Sequence, residues 1–113
     1  MNVLEEIINQ TGILRLTGRL DAASVKTLKE SVNSLIKKEI KFIVIDMNQL
    51  DFIDSSGLGS LVSCLRQVNK EGGDIRLSEL QDQIRALIEL TRLHRVFQIF
   101  DDCESAIKSF QSD

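Results

Sequence analysis

Two adjacent serines stand in the run Asp54-Ser55-Ser56-Gly57-Leu58-Gly59. An apolar pattern follows at Leu58, Leu61, Val62, Leu65 and Val68, which is one face of a helix. A hydroxyl at the mouth of a helix has two uses. It caps backbone N–H groups that lack intrahelical partners, or it is presented for modification where those same groups and the helix dipole favour an incoming phosphoryl group. Gly57 and Gly59 remove side chains beside it and permit close backbone approach, at about 1 kcal/mol of helix propensity each. The residues by themselves leave both uses open. A second feature, Thr17-Gly18-Arg19-Leu20-Asp21, closes an early strand and brings another acid, with Asp21 placed as a helix N-cap.

Other chemistries lack their parts. A serine hydrolase needs glycine two residues ahead of its nucleophile, and Asp54-Ser55-Ser56-Gly57 has none. The single histidine, His94, sits between Arg92 and Arg95, with Arg85 a few residues earlier; this basic run reads as a solvated face or a partner-docking patch. No lysine follows Gly57 and Gly59, so they are not a P-loop. Asp46 closes an apolar strand as a receiver-domain phospho-acceptor would. The acidic pair and the lysine that such chemistry needs to hold Mg²⁺ are missing, with Thr17-Gly18 and Phe100-Asp101 at those turns. Cys64 and Cys103 have no metal-binding or redox spacing and read as small apolar side chains in helices. No cofactor is implied.

Composition narrows the partners. With 14 Lys and Arg against 17 Asp and Glu, the net charge of −3 argues against generic binding to nucleic acid or anionic membrane. Five Phe are the only aromatics, a poor supply for base stacking. No apolar run approaches the ~20 residues that span a bilayer. The opening residues carry acids where a signal peptide carries Lys or Arg, so a cytoplasmic location is expected.

The elements that must position the serines follow from periodicity. Residues 2–9 and 12–17 read as an antiparallel hairpin joined at Asn9-Gln10-Thr11-Gly12. Val25, Leu28, Val32, Leu35 and Ile36 mark a helix over Ala22–Lys38. Lys41–Asp46 reads as a central strand covered on both faces, and Met47–Asp54 as a loop. A second helix runs from Ser55 or Ser56 to Lys70 and ends at Glu71-Gly72-Gly73. Then come a strand at Asp74–Leu77, a helix from Ser78 or Glu79 to Leu90, a strand at Val96–Phe100 and a final helix capped by Asp101 or Asp102. The order β-β-α-β-α-β-α-β-α over residues 1–113 predicts a single α/β domain. Its sheet is mixed and largely parallel, with an N-terminal hairpin and helices packed on it.

The stretch Phe52-Ile53-Asp54-Ser55-Ser56-Gly57-Leu58-Gly59 resembles the signature loop of bacterial anti-sigma factor antagonists, the single-domain STAS proteins. Leu16-Thr17-Gly18-Arg19-Leu20-Asp21 is similar to the family's early LTGxLD turn. Ile45–Leu50, Leu90–Leu93 and Val96–Phe100 match in the same order, so the resemblance spans nearly the whole chain. It implies that Ser55 is phosphorylated by a partner that is both serine kinase and anti-sigma factor, with Ser56 the less favoured neighbour. It implies that Asp21, Asp54, Ser55, Ser56, Gly57 and Leu58 meet that partner, and that a PP2C-type phosphatase resets the site. Unphosphorylated, the protein would bind the anti-sigma factor and free a sigma factor; it would be a switch without catalysis of its own. The alternative reading keeps the fold and makes this protein a scaffold or regulator in another partner-switching pathway. His94 stands where many relatives have glycine or aspartate, and Ser78-Glu79 where a small residue is common; neither touches the phosphorylation loop, and the choice of kinase turns on surface residues.

Overall fold

The computed structural model describes residues 1–111. Strands β1 (Asn2–Ile8) and β2 (Thr11–Leu20) are followed by α1 (Val25–Lys37), β3 (Phe42–Ile53), α2 (Ser55–Lys70) and β4 (Asp74–Ser78). Helix α3 (Asp82–Leu90), a 3₁₀ turn at Leu93–Arg95, β5 (Gln98–Phe100) and α4 (Cys103–Gln111) complete the chain. The sheet runs β1-β2-β3-β4-β5 in space, with β1 antiparallel to β2 and the other neighbours parallel. This is the mixed, largely parallel α/β architecture that the alternation of patterns predicts.

Alternation along the central strands sorts the two faces. Leu14, Leu16, Ile43, Ile45, Ile75 and Leu77 are buried on one side beneath α1, α2 and α3. Ile13 and Val44 point to the other side, where α4 covers them with Ala106, Ile107 and Phe110. Burial on both faces explains the unbroken apolar run of β3. Cys64 and Cys103 lie in helices as expected. Both are free thiols, Cys64 buried and Cys103 half-buried.

Several boundaries differ from the sequence expectation. The hairpin turn is two residues, Asn9 and Gln10, both at positive φ (48° and 71°), and Thr11 and Gly12 already pair with Ile8 and Ile7. Two positive φ values match the twist of the flanking strands. The expected loop at Met47–Asp54 is strand as far as Ile53. Its pairing with β2 slips twice, from Arg15↔Asp46 to Thr17↔Gln49 and from Gly18↔Leu50 to Arg19↔Phe52. Each slip adds a residue to β3, so the buried side chains Met47, Leu50 and Ile53 recur every third position and hide the strand period of two. Helix α1 begins at Val25 rather than Ala22, because residues 21–24 form a separate turn. Helix α3 begins at Asp82: Ser78 ends β4, and Glu79 takes a left-handed φ of 61°. Val96 and Phe97 lie just ahead of β5.

Candidate functional site

Asp54 is extended (φ −116°, ψ −173°) and is the N-cap of α2, its Oδ1 accepting the Gly57 N–H at 2.9 Å. Ser55 is therefore the first helical residue. The capping use left open by the residues falls to the aspartate instead. Ser55 and Ser56 are both exposed at the end of β3, in the region where open parallel sheets commonly meet ligands.

The two sequence features are in backbone contact. The Asp54 N–H donates to the Leu20 carbonyl at 3.3 Å. A Cβ built on Gly57 would collide with that same carbonyl oxygen and lie 2.8 Å from Ile53 Cγ1. Only glycine lets the first turn of α2 press onto the end of β2. Gly59, expected to share that role, does not: a Cβ there meets nothing within 4 Å. Leu58 is 7 % exposed and anchors the helix to the core. Gly57 is buried as well, so of the residues expected to meet a partner these two offer little surface themselves.

Asp21 holds the adjoining turn. Its Oδ1 accepts the Ala23 N–H at 3.1 Å, and its carbonyl accepts the N–H groups of Ser24 and Val25 at 3.0 and 3.1 Å. Ser24 Oγ donates to the Arg19 carbonyl at 2.8 Å and accepts the Asp21 N–H at 2.9 Å. Asp21 thus caps a turn ahead of α1, and Ser24 holds the N-cap position without a side-chain cap of its own. The half-buried carboxylate is fixed beside the Ser55 loop. Arg19 adds a feature that residue order concealed. Its guanidinium lies 3.9 Å over the Phe52 ring and its Nε is 3.5 Å from Asp21 Oδ2. Both residues were visible in the sequence, but their pairing depends on the second slip in the β2–β3 register. Arg19, its side chain 60 % exposed, thus stacks on Phe52 near the end of β3, three residues ahead of Ser55.

Asp46 is not presented for phosphorylation. Its side chain is 11 % exposed, its Oδ1 accepts the Asn48 N–H at 2.9 Å, and Arg15 Nε is 3.4 Å away. Arg15 also pairs with Glu6. The basic residues Arg85, His94 and Arg95 gather along β5 at the sheet's edge, in a groove that no residue of the Ser55 loop lines. Among the described residues no helix is long and apolar enough to cross a membrane.

The chain and its fold have counterparts among known proteins. An anti-sigma F factor antagonist of Paenibacillus polymyxa is 25% identical over 98% of this chain and 97% of its own. The crystal structure of an anti-sigma factor antagonist from Mycobacterium paratuberculosis superposes with a TM-score of 0.88 at 21% identity, covering 98% of this chain and 94% of that one. The anti-sigma factor antagonist SpoIIAA, in its unphosphorylated form, gives a TM-score of 0.77 at 22% identity over 99% and 100% of the two chains. The Bacillus protein in its phosphorylated form gives 0.74 at 22% identity over 96% and 99%. The family model for the STAS domain matches residues 2–106. With the whole of the sheet and the Ser55 loop inside that match, the chain belongs to the STAS domain family.

Proposed function

We propose that this protein is an anti-sigma factor antagonist, a binding switch set by phosphorylation of Ser55. The observation that carries the reading is the division of labour between two neighbours: Asp54 caps α2, and the Ser55 hydroxyl is left exposed at the helix mouth. The names of the relatives support an anti-sigma factor as the partner and a phosphorylated form of the antagonist, and the exposed helix mouth supports Ser55 as the acceptor. The partner is an anti-sigma factor that is also a serine kinase. Ser55 Oγ bonds to the γ-phosphorus of the partner's ATP, the bond from that phosphorus to the β,γ-bridging oxygen breaks, ADP leaves, and the hydroxyl proton is released. A PP2C-type phosphatase hydrolyses the ester and restores the binding form. The antagonist is a substrate in both steps and brings no catalytic group of its own.

Electrostatics gives the switch its direction. A phosphoserine carries about −1.5 to −2 charge at pH 7. The N-terminus of α2 stabilises that charge by about 0.3–1 kcal/mol, while the adjoining Asp54 opposes it. The two terms offset one another, so the fold is kept. A docked partner, however, covers the modified side chain, and a covered dianion facing acids or unpaired groups costs several kcal/mol. Each 1.4 kcal/mol is tenfold in affinity, so a loss of about 10²- to 10³-fold follows. The test is incubation with the kinase and ATP, followed by intact-mass and peptide mapping. A gain of about 80 Da confined to Ser55, with loss of kinase binding, supports the reading. Phosphate on another residue, or undiminished binding after phosphorylation, overturns it.

A further inference from the structure

The basic run at Arg85, His94 and Arg95 is not used by the Ser55 switch, and the fold gives it a second purpose. Strand β5 is the last strand of the sheet and, among the described residues, pairs only with β4. The Phe100 carbonyl accepts the Glu79 N–H, so Phe100 faces β4. Neighbouring residues of a parallel strand direct their backbone groups to opposite sides, so Ile99 turns both its N–H and its C=O toward the open edge. A groove of about 590 Å³ runs along that edge. Arg85 of α3 and His94 and Arg95 of the 3₁₀ turn line it, and Val96, 52 % exposed, adds an apolar contact there. Glu89 is the acid among the lining residues, and Arg85 pairs with Asp101, whose side chain is 97 % exposed, at 3.5 Å. The turn that carries His94 and Arg95 is entered through Arg92 at φ 64°, a left-handed residue that favours glycine but here is not glycine.

We propose that the free edge of β5 is a docking groove for an extended acidic segment of a partner protein. The segment adds a strand beside β5, hydrogen-bonds to Ile99, and places carboxylates against Arg85, His94 and Arg95. Positive charge around an unpaired edge selects the occupant by charge and disfavours basic or neutral strands. The groove is separate from Ser55 and operates in both states of the switch.

The probe is the synthetic peptide acetyl-Glu-Val-Glu-Val-Glu-amide, titrated into the uniformly ¹⁵N-labelled full chain, with the Lys-Val-Lys-Val-Lys counterpart alongside. The acidic peptide is expected to shift the amide signals of residues 94–100 and to slow hydrogen exchange of the Ile99 amide; the basic peptide shifts none of these. Arg85→Glu combined with Arg95→Glu weakens binding at least tenfold, and Glu89→Gln strengthens it two- to threefold. Ser55→Asp leaves it unchanged, so failure here is distinct from failure of the Ser55 reading. Absence of binding at millimolar acidic peptide overturns the proposal. So do equal shifts with the basic peptide, or perturbations confined to another surface.

Discussion

Asp54 caps α2 while its neighbour Ser55 is exposed, and on the proposed reading substitutions separate the two. Ser55→Ala is expected to bind the kinase as the parent does and to resist inactivation by ATP, because it removes the acceptor and leaves the cap. Ser55→Asp places one negative charge at the site and is expected to weaken kinase binding about tenfold or more, read by calorimetry or surface binding. Asp54→Ala acts through the helix: the Gly57 N–H loses its acceptor, and stability falls by about 1 kcal/mol in urea unfolding. The two glycines of the loop make a sharper pair. Gly57→Ala forces a methyl group into the Leu20 carbonyl and is expected to cost about 1–3 kcal/mol. Gly59→Ala enters open space on a helix and is expected to gain up to about 1 kcal/mol. Equal effects at the two positions would contradict the contact between α2 and β2.

Helix ends show how one backbone solution is reached with different residues. Helix α2 closes with Gly72 at φ 85°, its N–H bonded to the Asn69 carbonyl, while the Gly73 N–H reaches the Val68 carbonyl at 2.8 Å. Glu71-Gly72-Gly73 announces that ending in the sequence. Helix α1 closes by the same pair of bonds, Glu39 N–H to Ile36 and Ile40 N–H to Leu35, with Glu39 at φ 64° in the place of glycine. Buried Ile40 supplies the apolar contact that holds it. A left-handed non-glycine residue costs about 1–2 kcal/mol, and glycine gives back about 0.4–1 in chain entropy. Glu39→Gly is therefore expected to stabilise the protein by about 0.5–1 kcal/mol, seen as a higher urea midpoint with unchanged slope. Glu79 is also left-handed, and its Oε2 accepts the Cys103 N–H at 3.0 Å, adding to the cap of α4, where Asp102 Oδ1 accepts the Ser105 N–H at 2.7 Å as the sequence predicts.

For the molecule as a whole, the closed core makes stability sensitive to alkaline pH through one thiol. Burial pushes the Cys64 thiol up to about 11, against the opposing pull of Lys29. The unfolded thiol ionises first, near 8.5, so between that pH and 11 unfolding releases a proton. The contribution of Cys64 is complete below pH 8.5, and stability then falls by up to about 1.4 kcal/mol per pH unit until the folded thiol itself ionises. Unfolding curves from pH 8 to 11 should show this decline in the parent and a flatter profile in Cys64→Ala, which starts from lower stability because it leaves a cavity.

The sequence determined the order of elements, the face each helix buries, and the family to which the chain belongs. These depend on local periodicity, on glycine and cap residues, and on a short ordered set of motifs, all of which are written along one stretch of chain. It did not determine the upper half of β3, whose two added residues break the period of two, nor the starts of α1 and α3, which wait on turns held by Ser24 and by the left-handed Glu79. The difference between Gly57 and Gly59, the stacking of Arg19 on Phe52, and the meeting of the basic residues with the free edge of β5 are likewise absent from the linear pattern. Each depends on residues distant in sequence being brought within a few ångströms. Only the packed sheet sets those distances, because a residue's type states what it can contact, while register and burial state what is there.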